Sequence, residues 1–139
     1  MPQAWPLVPV VAALAALLAG LPTEGRPEGP ASPTGRRATY QTYCAVCHGV
    51  DGKGDGVLTD RLRVAPPDLT LLARRNKGSF PKDMVYRIVD GRSPVKGHGG
   101  PDMPVWGDAF KEPGEQYSED RVRAKIEGLV EYLASIQVR

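Results

Sequence analysis

Two cysteines and two histidines are all the thiol and imidazole groups in this chain of 139 residues. Three of the four fall in one pentapeptide, Cys44-Ala45-Val46-Cys47-His48. Positions i, i+3 and i+4 leave a helix on the same face. Two thiols so placed can each form a thioether to a vinyl group of one porphyrin, while the adjacent imidazole reaches the iron at its centre. A Cys-X-X-Cys pair also occurs in dithiol redox proteins and as half of a zinc site. The dithiol reading asks for a neighbouring βαβ pattern, which the sequence lacks. Zinc asks for four ligands, and only His98 stands outside the pentapeptide, with His48 cramped against Cys47. The motif therefore reads as covalent attachment of one haem c per chain through Cys44 and Cys47, with His48 on the iron.

A second axial ligand has few sources. Of Met1, Met84 and Met103, Met103 is the choice, because it lies in a Gly/Pro-rich stretch where Pro101 and Pro104 limit backbone freedom. Met84 falls on an apolar helix face, where methionine usually fills core space. His98, five positions before Met103, is the rival ligand, and its plainer reading is an exposed loop histidine. Methionine ligation gives a higher reduction potential than a second histidine. Trp106 fits either a place at the haem edge, near a propionate, or ordinary core packing. Arg61, Arg63, Arg74 and Arg92 are candidates for propionate pairing.

These groups need elements to hold them. Arg36 to His48 contains neither Gly nor Pro and predicts a helix that stops at Gly49. Asp51 to Gly56 is a turn-forming run and Pro66-Pro67 forces extended backbone, so Val50 to Thr70 reads mostly as loop. A short helix is expected over Asp68 to Arg75. Pro81 can open another at its first position, with Met84, Val85, Ile88 and Val89 on one face and Gly91 as its end. The last helix is the best marked: Ser118 caps it, Glu119 and Asp120 occupy its first turn, and Val122, Ile126, Leu129, Val130, Leu133 and Ile136 repeat at helical spacing. No alternating strand pattern occurs. The expectation is an all-α fold, several short helices and long loops wrapped around one haem.

The bulk numbers agree with that picture. A hydrophobic content of 41% with only 6% aromatic residues describes a globular chain short of large core side chains, which a bound cofactor can replace. A formal net charge of +2 excludes a dedicated nucleic-acid binder. The basic group Arg61, Arg63, Arg74, Arg75 and Lys77 reads as solvated surface or as a docking face for an acidic redox partner. Residues 1–20 read as an export signal, because the apolar run Leu7 to Leu18 is shorter than the roughly 20 residues that span a bilayer. No Lys or Arg precedes that run and no Ala-X-Ala follows it, so an uncleaved N-terminal anchor stays open, and with it a membrane contact. Residues 21–35, rich in Pro and Gly, read as a linker, leaving 36–139 as one domain.

Four segments, Cys44 to Gly49, APPDL at Ala65 to Leu69, MPVWG at Met103 to Gly107 and LVEYL at Leu129 to Leu133, together resemble a bacterial class I cytochrome c, over nearly the whole chain after the linker. The resemblance implies the cytochrome c fold and one-electron transfer rather than enzymatic turnover. It implies a periplasmic carrier, or the cytochrome subunit of a respiratory or dehydrogenase chain, with redox proteins as donor and acceptor. It also implies that the distal methionine comes from the loop before the last helix, as Met103 does. A proline carbonyl, here that of Pro67 with Pro66 as alternative, would anchor the second ring nitrogen of His48. The first and last helices would cross tightly, with Tyr40 and Tyr132 at the contact and Gly128 allowing close approach. One departure is Arg36, where the family usually has a small residue. Two other function classes compete: an enzyme with an open iron position, and a haem sensor in which His98 or Met103 exchanges with a ligand.

Overall fold

The computed structural model describes Met1 and residues 31–92, 103–111 and 118–138. The expected signal, most of the linker and His98 lie outside the described residues. Six α-helices follow in order: α1 (Pro33–Tyr43), α2 (Ala45–His48), α3 (Leu72–Arg75), α4 (Lys82–Asp90), α5 (Trp106–Ala109) and α6 (Glu119–Ser135). Single 3₁₀ turns sit at Thr59–Arg61 and Leu69–Leu71. There is no strand among the described residues, so the chain is all-α, as the sequence predicts. No helix among them is long and apolar enough to cross a membrane.

Local chemistry sets the helix ends. α1 begins at Pro33, earlier than the predicted Arg36, because the Ser32 hydroxyl accepts the N–H of Gly35 at 3.0 Å and Pro33 occupies the first turn. Proline costs nothing there, where its missing N–H has no intrahelical partner. The predicted continuous helix to His48 is broken at Cys44, whose ψ of −37° goes with an extended φ of −114°. In α4, Pro81 is the cap and not the first helical residue, and Gly91 closes the helix in the left-handed region at φ 69°. Ser118 caps α6, its hydroxyl accepting the Arg121 N–H at 3.2 Å.

The core is small. Tyr40 of α1, Val85 and Val89 of α4, Phe110, and Val122, Ile126, Leu129, Val130 and Leu133 of α6 are its buried hydrophobic members. α6 is therefore the central element, packed by α1 on one side and α4 on another. Tyr40 and Tyr132 meet at 4.8 Å between ring centroids where α1 and α6 cross, and Gly128 is buried in the same helix. Arg36 reaches Glu131 at 2.7 Å, so its long side chain lies along the crossing as an ion pair. Met84, expected as core filling, is 48% exposed: the inward face of α4 is narrower than predicted and belongs to Val85 and Val89.

Gln137, just past α6, ties the C-terminal end of the domain to residues 69–73 in its middle. Its amide nitrogen donates to the carbonyls of Leu69 at 2.8 Å and Leu133 at 2.7 Å, and its amide oxygen accepts the Ala73 N–H at 2.8 Å. The Val138 N–H adds a bond to the Thr70 carbonyl at 2.9 Å. Replacing Gln137 by Ala leaves half-buried backbone groups unpaired, and should lower unfolding free energy by about 1–3 kcal/mol. Guanidinium unfolding of the two proteins side by side checks this.

Candidate functional site

α2 is a helix of four residues, too short to stand alone. Its carbonyls, which a longer helix would satisfy internally, are taken up by the glycine-rich loop that follows. Gly54 donates to His48 at 2.8 Å, Gly56 to Cys47 at 3.2 Å and Leu58 to Val46 at 3.0 Å, and the Thr59 hydroxyl adds a bond to the Cys47 carbonyl at 3.1 Å. Such close folding needs glycine. Gly54 has φ +81°, and a side chain there would run into the Pro66 carbonyl. Gly56 lies against the Cys47 backbone with no room for a Cβ. The loop is then tied to the next segment, since Leu69 donates to the Gly52 carbonyl at 2.7 Å.

Above α1 the turn is fixed from the core side. The Tyr40 hydroxyl donates to the Gly49 carbonyl at 2.8 Å. Burial, and after it the neighbouring Cys44, holds that phenol well above its ordinary pKa, so it stays a neutral donor. Asp68 orders the proline segment's exit by accepting the Thr70 N–H at 2.8 Å and its hydroxyl at 2.6 Å. The hydroxyl bond holds its carboxyl below the usual range.

These elements enclose a cavity of about 200 Å³. Cys44, Cys47 and His48 line it, as do Pro66 and Pro67, Met103 and Trp106. Cys44, Cys47, His48, Pro67, Met103 and Trp106 therefore meet at one cavity, whereas Arg61, Arg63, Arg74 and Arg92 are not in its wall and His98 lies outside the described residues. The remaining wall is aliphatic: Leu69, Leu72, Val85, Val89, Leu129 and Leu133 belong to four different segments and face inward together. Helices that point apolar side chains at a space, and not at each other, suit a large flat apolar ligand. Trp106 lines the cavity and also packs 5.6 Å from Tyr43 and 5.1 Å from Phe110 by ring centroids. Lys125 lies over the Phe110 and Tyr43 rings at 4.6 and 5.0 Å.

The cysteines form no disulfide. Burial pushes the Cys44 thiol up to about 12, with the Cys47 charge adding to it. A dithiol catalyst needs the opposite shift, toward thiolate, and no group of three or more His, Cys, Asp or Glu side chains fit for a metal occurs among the described residues. The donors that open onto the cavity are two thiols, one imidazole and one thioether, a set that fits a covalently attached haem.

Arg92, a sequence candidate for propionate pairing, is engaged elsewhere. Its guanidinium binds Asp90 at 2.8 Å and Glu119 at 2.8 Å. Sequence reasoning gave no sign of this trio, because Glu119 reads only as a first-turn residue of the last helix and nothing in the local pattern singles out Asp90.

Residues 34–137 match the family described as Cytochrome c. No curated protein and no solved structure matches the chain.

Gly54→Ala should destabilise the protein by about 1–3 kcal/mol, since it forces a side chain into left-handed backbone against a carbonyl. Chemical unfolding reads the change. A loss no larger than that of a surface alanine would mean the loop does not brace α2 as described.

Proposed function

The chain belongs to the cytochrome c family, and from that premise we propose that it is a one-electron carrier with His48 and Met103 as its two axial ligands. Its covalently bound haem c supplies reversible exchange between ferrous and ferric iron. The observation that carries the reading is the common cavity onto which Cys44, Cys47, His48 and Met103 all open.

Each residue has a defined task in this reading. Cys44 and Cys47 anchor the porphyrin through thioether bonds, and the braced turn of α2 presents His48 without freedom to swing. Pro67 orients the His48 ring through its carbonyl, as a partner just outside the ligand set commonly does. Met103 supplies a neutral, soft ligand that favours the reduced state. The aliphatic wall excludes water, which limits the solvent reorganisation that accompanies a change of charge. Trp106 covers one edge. With both axial positions filled, substrate chemistry at iron is disfavoured, and the partners are redox proteins.

The site of action follows from residues 1–20, read as an export signal or a retained N-terminal anchor. The protein works in the periplasm, either free or as the cytochrome subunit of a respiratory or dehydrogenase chain. The bacterial class I assignment rests on the APPDL and MPVWG segments that flank the haem motif.

Purified, matured protein should keep its pigment on the polypeptide through extraction with acidified organic solvent; release into the solvent would sink the covalent reading. The ferrous form should be low-spin and six-coordinate and bind carbon monoxide poorly. Met103→Ala should lower the potential and admit carbon monoxide rapidly, whereas an unchanged spectrum removes Met103 from the ligand set.

A further inference from the structure

Met103 sits at the far end of a segment that leaves α4 at Gly91 and re-enters the described structure just before α5. Two glycines let the ends of that segment touch. Gly91, at φ +69°, faces the backbone of Val105, where an added Cβ would lie 3.2 Å from the Val105 Cα. Gly107 lies directly against the Asp90–Arg92 pair, with no space for any side chain between them. Residues 90–92 and 105–107 are therefore packed directly together, and their contact is built on an ion-pair cluster. The Arg92 Nε donates to Asp90 Oδ1 at 2.8 Å, while its Nη1 donates to Glu119 Oε1 at 2.9 Å and Oε2 at 2.8 Å. Asp90 is a buried carboxylate, 9% exposed. One guanidinium thus joins the end of α4 to the start of α6, with α5 resting on top.

A buried carboxylate bound in this way is a weak source of overall stability, because desolvation offsets most of the attraction. Its effect is on geometry, since a planar fork held by two carboxylates fixes direction as well as distance. What it fixes is the base from which Pro104 and Met103 extend into the cavity. We propose that the Asp90–Arg92–Glu119 cluster is a positioning device for the Met103 thioether, a role that rests on Met103 being the second iron ligand. Arg92 acts through the backbone of Gly107, against which its guanidinium lies, and is not in the wall of the cavity. The thioether can stay in place only while Val105 and Gly107 are held against the end of α4, so loosening the cluster raises the fraction of molecules in which the sulfur is detached.

Imidazole added to the ferric holoprotein must displace Met103, so its apparent affinity reports that fraction. Arg92→Gln should tighten apparent imidazole binding about tenfold, which is ~1.4 kcal/mol, and weaken the thioether-to-iron absorption band. Arg92→Lys should recover only part of the loss, because an ammonium cannot span both carboxylates. Arg36→Gln is the control, breaking the Arg36–Glu131 ion pair at the α1–α6 crossing, whose residues do not line the cavity. It should leave imidazole affinity in place. Equal affinity in Arg92→Gln and the parent overturns the proposal, as does an equal gain in Arg36→Gln, which would make the effect one of general loosening. A parent that lacks the band, together with a Met103→Ala variant that binds imidazole no more tightly than the parent, shows instead that Met103 is not the ligand, and the cluster's role falls with it.

Discussion

A single helical turn does not persist in water, because the cost of ordering its residues exceeds the return from its few hydrogen bonds. Yet the turn of Ala45–His48 carries Cys47 and His48, two of the residues on which the site depends. It persists because its free carbonyls are matched, one after another, by N–H groups of the loop from Gly54 to Leu58. That loop in turn is bonded to Leu69, and Leu69 to Gln137 beyond the last helix. Rigidity at His48 is thus borrowed from the whole domain through backbone hydrogen bonds, a route that depends little on side-chain identity except where glycine permits close approach.

The second constraint is apolar. The nine buried hydrophobic residues among those described make a thin core, and several of them, Val85, Val89, Leu129 and Leu133, also face the cavity. The helices meet around a space they do not fill. On the proposed function haem c would fill that space, and the side chains that stabilise the fold would also set the low polarity around the cofactor. A change at Val89 or Leu129 would then alter stability and redox behaviour together.

The sequence made the all-α class legible through two signals, the 3.6-residue periodicity of α6 and the absence of any alternating run. It made the haem motif legible because i, i+3, i+4 spacing speaks directly of one helix face. What it hid follows a physical pattern. The break at Cys44 leaves no compositional mark, since neither Gly nor Pro is involved, and the Tyr40 hydroxyl that spans it to the Gly49 carbonyl is not a local signal. The start of α1 was hidden because Pro33 and Gly35 share the composition of a linker, although proline suits a first turn. Gln137 and the Arg92 cluster depend on partners distant in the chain, which local reading does not connect. Met84 was misread because periodicity gives a face, but the width of that face is decided by neighbours.

The seam between α1 and α6 joins residues almost a domain length apart, with Tyr40 covered by a helix that ends only at Ser135. Contacts of such sequence separation form late, after most loop entropy has already been lost. A chain made N-terminus first therefore presents the Cys-X-X-Cys-His stretch as open, reachable polypeptide until the final helix has been made. The order of synthesis leaves an interval in which both thiols can be reached from solvent, and the arrival of α6 ends it.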